Sequence, residues 1–180
     1  MIKSLVFPGQ GSQKIGMGKE FFDNFQIAKE VFENVDDCLA QNLSKLIFDG
    51  PLDELTLTEN AQPAIMTVSI AILEVFKREF GFNIKDASFC AGHSLGEYSA
   101  LCCAGSISFE QTLNILNSRA IAMQNAVPSG EGGMIAVLGI DIKQMTEILD
   151  ENAKKYSCYI ANDNTVGQIA ISGRTNALEK

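Results

Sequence analysis

The residues with the clearest chemistry form a glycine-bounded serine sequence, Gly92-His93-Ser94-Leu95-Gly96. It follows a short apolar segment, Ala87–Ala91, and precedes small residues that favour a helix. This pattern is typical of a strand-to-helix turn that exposes the serine hydroxyl and leaves no room for a Cβ atom at either glycine. The helix N-terminus then directs backbone N–H groups toward a developing oxyanion. The pattern predicts Ser94 as a catalytic nucleophile; a tight β–α turn with a structural serine is the alternative.

A serine nucleophile usually needs an imidazole base, and the chain contains one histidine, His93. Because His93 is the immediate neighbour of Ser94, its side chain should project away from the hydroxyl. We therefore expect His93 to support the turn rather than to act as the base. Either another group is the base or the base lies beyond Lys180; we expect the second, and expect the chain ending at Lys180 to be a poor enzyme on its own.

A second glycine-rich segment, PGQGSQ at residues 8–13, follows a short buried strand predicted at Leu5–Phe7. It does not match the phosphate-binding motifs, because G-x-G-x-x-G lacks its last glycine and Gly11–Gly16 is followed by Met17 rather than lysine. Glycines in a loop after the first strand free backbone N–H groups, which is what the second half of an oxyanion hole requires. A plain glycine-rich turn is the alternative.

Arg119 is the only charged residue between Gln111 and Gly130. An arginine among apolar neighbours costs free energy unless an anion pairs with it, and its planar guanidinium matches a carboxylate. The pattern predicts a clamp for a substrate carboxylate. An internal salt bridge, or a side chain that reaches out to solvent, is the alternative. At helical spacing the neighbours are Ile115, Leu116, Ala122 and Met123.

Composition argues against several classes of function. The chain has 180 residues, a net charge of −8 and a pI near 4.6, which disfavours nucleic acid as a partner. The most apolar stretch, residues 64–76, is too short to span a bilayer and contains Glu74. Five cysteines without a C-x-x-C spacing, and a single histidine, give no zinc pattern and predict reduced, buried thiols in the cytoplasm. We expect no metal and no cofactor.

Hydrophobic periodicity predicts an α/β fold for the first part of the chain. It predicts one helix over Phe21–Leu39 and another that begins at Pro63 and is stopped by Gly81. After the strand and the serine turn, a helix is predicted to Ala104. The capping sequence Ser108-x-x-Gln111 predicts a further helix, which ends before Pro128.

The run Pro128–Gly133 predicts a boundary between a first domain, residues 1–127, and a second domain, residues 128–180. Beyond it, the pattern predicts a strand at Met134–Leu138, a helix from Ile142 to about Lys155, and two strands around a turn at Asn162–Gly167. Capping residues for another helix follow. This β-α-β-β order is typical of a split β-α-β unit.

Five features in the same order resemble the malonyl-CoA:acyl carrier protein transacylase family. The resemblance covers almost the whole chain and implies an α/β-hydrolase-like large subdomain with an inserted ferredoxin-like small subdomain, both incomplete here. Because the first feature begins almost at Met1, a discrete enzyme of fatty acid synthesis is expected rather than a domain of a megasynthase. The features are FPGQGSQ at residues 7–13, Gln62-Pro63-Ala64, GHSLGEYSAL at 92–101, Arg119 and MQNAVP at 123–128.

The resemblance implies roles for individual residues. Ser94 would take the malonyl group from coenzyme A, the backbone N–H groups of Gln10 and Leu95 would form the oxyanion hole, and Arg119 would pair with the malonyl carboxylate. The base of the family is a histidine downstream of the matched region. Positions near the substrate pocket are matched by Gln62, Met123 and Asn162.

The implied reaction is transfer of malonyl from malonyl-CoA to the phosphopantetheine thiol of acyl carrier protein through a malonyl-serine intermediate. A serine hydrolase, such as a thioesterase or a patatin-like lipase, is one alternative, although a lipase pocket has little use for the cation of Arg119. An inactive fragment that binds acyl-CoA or carrier protein is the other.

Overall fold

The computed structural model describes residues 3–128, 130–152 and 156–179, which form an α/β protein. The chain divides into two compact units, Met1–Gln124 and Asn125–Lys180. This division falls three residues before the boundary expected from the proline- and glycine-rich run. Each unit has its own sheet and its own hydrophobic cluster.

The first unit contains two parallel strands, β1 (Ser4–Phe7) and β2 (Phe89–Gly92). The sequence predicts β1 as a buried strand, but only one of its faces is buried. Leu5 and Phe7 pack against the core, whereas Val6 is 76% exposed. The difference follows from the two-residue period of a strand, which sends alternate side chains to opposite faces of the sheet.

Helices surround these strands, and one predicted helix is divided in two. The sequence predicts a continuous helix over Phe21–Leu39, but Phe25 has extended backbone angles (φ −130°, ψ 117°) and separates two helices. A short 3-10 turn at Ile84–Asp86 leads into β2. The helices of this unit are α1 (Lys19–Asn24), α2 (Gln26–Leu39), α3 (Leu43–Asp49), α4 (Leu52–Thr56), α5 (Thr58–Glu79), α6 (Leu95–Cys103) and α7 (Phe109–Asn125).

The helix α5 has 22 residues and packs against α2 and α6. The prediction that it begins at Pro63 is wrong, because it begins at Thr58. Two features support the extra turn: the Thr58 N–H donates to Gln124 Oε1 at 3.0 Å, and the side chains around Pro63 are fully buried. The predicted end is confirmed, since Gly81 follows the helix with a positive φ of 63°.

The second unit has the predicted β-α-β-β order and forms an antiparallel sheet in the order β3-β5-β4. The strand β3 begins two residues before its predicted start. Asn162 lies within β4 rather than in the turn, which is formed instead by Val166 and Gly167. The predicted end of α8 falls on residues 153–155, outside the described residues. The elements are β3 (Gly132–Leu138), α8 (Ile142–Asn152), β4 (Cys158–Thr165), β5 (Gln168–Arg174) and α9 (Thr175–Leu178).

The five cysteines are free thiols with different surroundings. The prediction that all are buried is confirmed for Cys103 and wrong for Cys38, which is exposed on α2; the other three are half-buried. Burial raises the pKa of the Cys103 thiol to about 12, and the neighbouring Cys90 acts in the same direction, so Cys103 is protonated at neutral pH. Within the described ranges, no helix is long and apolar enough to cross a membrane.

The start of α7 contains the predicted capping box. The Gln111 N–H donates to Ser108 Oγ at 3.3 Å, and the Ser108 hydroxyl donates to Gln111 Oε1 at 3.1 Å. These bonds satisfy N–H and side-chain groups that have no partner inside the helix. The cap therefore fixes the beginning of the helix that carries Arg119.

We expect Ser108→Ala to lower the free energy of unfolding by about 0.5–2 kcal/mol, because it removes the acceptor of the Gln111 N–H. Urea denaturation followed by circular dichroism measures this. Ser118→Ala is the matched control, since Ser118 is exposed in the middle of the same helix and alanine has the higher helix propensity. Equal stability of the two variants would show that the capping box contributes nothing.

Candidate active site

Ser94 lies in the turn between β2 and α6, as the sequence predicts. Its backbone angles are φ 54° and ψ −113°. Residues other than glycine adopt such angles only where the surrounding structure holds them in place. A Cβ atom on Gly92 would lie 1.9 Å from the backbone carbon of Gly96, and one on Gly96 would lie 2.4 Å from the Phe7 carbonyl oxygen. Both flanking glycines are therefore required by contact between backbone atoms, and the predicted strand–turn–helix arrangement is confirmed.

The loop after β1 lies directly against this turn. The His93 N–H donates to the Phe7 carbonyl at 3.2 Å, and a Cβ atom on Gly9 would come within 2.6 Å of His93 Nδ1. The loop is also held internally, since Ser12 Oγ donates to the Gly9 carbonyl at 2.8 Å. The two glycine-rich segments identified in the sequence are thus adjacent in the fold.

Gln10 and Leu95, the two residues expected at an oxyanion hole, lie on either side of this junction. Leu95 is the first residue of α6, where backbone N–H groups have no acceptor within the helix. Gln10 lies in the adjoining loop, and its side chain donates to Thr58 Oγ1 at 3.2 Å, which anchors the loop to the start of α5. That the backbone N–H groups of these two residues form an oxyanion hole stays a prediction.

His93 is exposed, and its backbone contributes to the turn on both sides. Its N–H bonds to β1, while its carbonyl accepts the Gly96 N–H at 2.9 Å. The ring nitrogen Nδ1 faces Gly9. These contacts are what a residue that supports the turn would make.

The Arg119 side chain reaches Ser94. Its Nη2 donates to Ser94 Oγ at 3.0 Å, and its Nη1 donates to Gln62 Oε1. The guanidinium carbon also lies 5.7 Å from the centre of the Tyr98 ring. In the described part of the chain, none of these neighbours carries a charge, so the internal salt bridge considered as an alternative is not formed there.

Gln62 and Met123 extend this network. The Gln62 side chain is fully buried, and its Nε2 contacts Met123 Sδ at 3.4 Å while its Oε1 accepts from Arg119. A buried amide must satisfy its polar atoms, so its orientation is fixed by these two partners. Three helices, α5, α6 and α7, therefore supply the residues around the hydroxyl.

The structure thus brings Ser94, Arg119, Gln62 and Met123 together within the first unit. Asn162 belongs to the second unit, where it is exposed and pairs with Ala170 of β5 at an irregular point of the ladder. The ring of Tyr98 was missed by sequence reasoning. A signal for it exists, because Tyr98 lies in the first turn of the helix that directly follows Ser94.

The arrangement combines a hydroxyl, a cation with uncharged partners and a helix N-terminus at one place. Such a set favours an acyl group that also carries an anion, since the guanidinium retains its charge for a ligand. Among the residues that the structure describes, no group of three or more histidine, cysteine or acidic side chains could hold a metal ion.

Comparison with known families decides the class. The model of the acyl transferase domain matches residues 4–180, which is nearly the whole chain. This chain belongs to the acyl transferase family. The resemblance inferred from the sequence motifs is confirmed, because curated relatives of this acyl transferase chain are named malonyl CoA-acyl carrier protein transacylase.

Two curated relatives illustrate the degree of similarity. The protein from Bacillus subtilis (strain 168) is 48% identical over 177 residues, covering 98% of this chain and 55% of the relative. The protein from Escherichia coli (strain K12) is 38% identical, covering 98% of this chain and 56% of the relative. The chain therefore spans about half the length of the curated relatives it matches.

Solved structures agree. An acyl-carrier-protein S-malonyltransferase from Bartonella henselae has a TM-score of 0.93 and 53% identity, covering 99% of this chain and 57% of that protein. A malonyl-transacylase in complex with a type II polyketide synthase acyl-carrier protein has a TM-score of 0.91 and 38% identity, with coverage of 99% and 57%.

The strained backbone at Ser94 leads to a stability prediction. At a position with φ of 54°, glycine is less strained than any other residue because it has no Cβ atom to clash with the backbone. The Ser94→Gly variant should therefore be more stable than Ser94→Ala by about 1 kcal/mol or more. Thermal or urea unfolding of the two variants measures the difference. At Ser118, in the middle of α7, the order should reverse, with the alanine variant more stable by about 1 kcal/mol. The same order at both positions would contradict a strained turn.

Proposed function

We propose that this chain carries the nucleophile and the malonyl-carboxylate site of a malonyl-CoA:acyl carrier protein transacylase. The observation that carries the proposal is the contact between Arg119 and the Ser94 hydroxyl, because it places a cation with uncharged partners at the acylation point. The relatives named for this activity support it.

In the proposed reaction, Ser94 Oγ attacks the thioester carbonyl of malonyl-CoA and forms a tetrahedral intermediate. The carbon–sulfur bond then breaks, and coenzyme A leaves as the thiol with a proton. The malonyl ester on Ser94 is next attacked by the phosphopantetheine thiol of acyl carrier protein, which restores the hydroxyl. The malonyl group is transferred and no water is consumed.

Arg119 would bind the malonyl carboxylate. In a malonyl ester on Ser94, only the carbonyl carbon and one methylene separate the ester oxygen from the carboxylate. A guanidinium whose Nη2 lies 3.0 Å from Ser94 Oγ is therefore within reach of that carboxylate once the ester forms. Gln62 would hold the other edge of the guanidinium, and Met123 would form an adjoining part of the pocket.

The developing oxyanion would be stabilised by the backbone N–H groups of Gln10 and Leu95. Donors fixed by the fold before the reaction need no reorganisation when charge develops, which is why such sites lower the barrier. We place His93 in support of the turn, and we assign the base to a group other than His93. The assignment of Asn162 to substrate binding rests on the sequence resemblance alone and stays a prediction.

We also propose the finer architecture that the sequence motifs imply. The first unit would be part of an α/β-hydrolase-like subdomain, supported by its parallel strands and the serine turn between β2 and α6. The second would be part of a ferredoxin-like subdomain, supported by its β-α-β-β order and antiparallel sheet. The boundary between the two subdomains would lie between residues 127 and 128.

The carrier protein and malonyl-CoA are the proposed partners. The solved complex between a related malonyl-transacylase and an acyl-carrier protein supports the first. Because coenzyme A and acyl carrier proteins are both anionic and this chain has a net charge of −8, local basic groups must offset the repulsion where they bind.

The proposed function predicts a covalent intermediate on Ser94. In an intact version of the protein, one in which the base is present, incubation with malonyl-CoA should add a malonyl mass to the peptide containing Ser94, and Ser94→Ala should abolish this mass. Intact and peptide mass spectrometry measures it. Addition of acyl carrier protein should move the mass to the carrier.

Other products would distinguish the alternatives. Free malonate in place of malonyl-carrier would indicate a hydrolase, while binding without any covalent mass would indicate a non-catalytic module. A malonyl mass on a different residue would contradict the assignment of Ser94.

We also expect Arg119→Ala to slow malonyl transfer by about 30- to 4,000-fold, because loss of one partner of a desolvated charge pair costs roughly 2–5 kcal/mol. Acetyl transfer should change little, since acetyl has no carboxylate. Rates of Ser94 acylation by malonyl-CoA and acetyl-CoA measure the difference. Arg78→Ala is the control, since Arg78 is exposed near the end of α5. Equal losses with both donors would show that Arg119 is structural.

A further inference from the structure

Tyr98 lies in the first turn of α6, the helix that begins directly after Ser94. The Tyr98 side chain is partly buried and packs against the hydrophobic core of the first unit. Packing against the core limits the orientations open to the ring. The ring therefore offers an ordered surface to Arg119, which in turn contacts the nucleophile.

Arg119 lies over this ring, with its guanidinium carbon 5.7 Å from the ring centre. This separation is within the range of about 6 Å in which the negative face of an aromatic ring attracts a cation. The contact adds to the bond from Nη1 to Gln62, so the guanidinium is held along one edge and beneath one face. The remaining edge, Nη2, points to Ser94 Oγ.

The two groups that hold Arg119, the Tyr98 ring and the Gln62 amide, are both uncharged, and this affects how strongly a ligand carboxylate can bind. An acidic partner would orient Arg119 equally well, but it would also neutralise the charge that an incoming carboxylate needs. A ring and an amide instead fix the long, flexible side chain, whose ordering otherwise costs entropy on binding, and leave its charge intact.

We propose that Tyr98 is a positioning residue for Arg119. By holding the plane of the guanidinium beside Ser94, its ring sets the preference for acyl donors that carry a carboxylate over donors that do not. This inference rests on the proposed malonyl transfer and adds a determinant of its specificity.

The test compares Ser94 acylation by malonyl-CoA and by acetyl-CoA, measured by mass spectrometry at subsaturating donor. Tyr98→Leu should reduce the malonyl-to-acetyl ratio of rates by about 2- to 30-fold, because it removes the cation–ring contact. Tyr98→Phe keeps the ring and should retain nearly the full ratio. Tyr159→Leu is the matched control, since Tyr159 is exposed on β4, and it should leave the ratio unchanged.

Variants with fluorinated phenylalanines at position 98 provide a second test, which does not depend on whether Tyr98→Leu folds. Successive fluorines weaken the negative face of the ring while nearly preserving its shape, so the ratio should fall stepwise as fluorines are added. Circular dichroism confirms that each variant is folded. A ratio that does not respond to fluorination would overturn the proposal.

A double variant separates positioning from general packing. If Tyr98 acts through Arg119, then Tyr98→Leu in an Arg119→Ala background should not change the ratio further. A further fall in that background, or equal losses with both donors in the single variant, would overturn the role of Tyr98. All variants are made in the intact version of the protein, in which the base is present. If that protein without substitutions shows no malonyl-serine, the proposed function fails; if it prefers malonyl and Tyr98→Leu keeps that preference, only the role of Tyr98 fails.

Discussion

The close approach of backbone atoms around Ser94 is the constraint on which the site depends. Gly96 at the start of α6 lies so near the carbonyl of Phe7 that any side chain at position 96 would collide with β1. The same contact brings the loop after β1 to the helix N-terminus. An exposed hydroxyl, a strained serine backbone and two neighbouring sets of N–H groups therefore result from one packing requirement between a strand and a helix.

Three helices then converge on the hydroxyl exposed by this turn. The helix α6 supplies Tyr98, α5 supplies the buried amide of Gln62, and α7 supplies Arg119. The placement of α7 is itself constrained, since Gln124 near its end accepts the first N–H of α5. Helices that form the core thus also fix the geometry of the polar network, because rigid elements position side chains more accurately than loops do.

Sequence alone predicts what local spacing determines. The turn at Ser94 is predictable because its glycines and strand are contiguous, and the capping box of α7 is predictable because its bonds join Ser108 to Gln111. The start of α5 is not, because the group that satisfies Thr58 is 66 residues away. The partners of Arg119 are likewise 25 and 57 residues distant, so spacing indicated an unpaired cation but could not identify what holds it.

The electrostatics of the site follow from how that cation is held. A chain with net charge −8 repels anionic donors at long range, but salt screens this repulsion over roughly 8–10 Å. Affinity for a carboxylate is then decided by charges in direct contact with it. Since Gln62, Ser94 and Tyr98 are uncharged, they contact Arg119 without neutralising it, so under the proposed function the cost of keeping a cation partly buried would be offset when an anionic acyl group binds. The arrangement would thus convert the cost of a partly buried cation into selectivity for that acyl group, which is the differential binding that specificity requires.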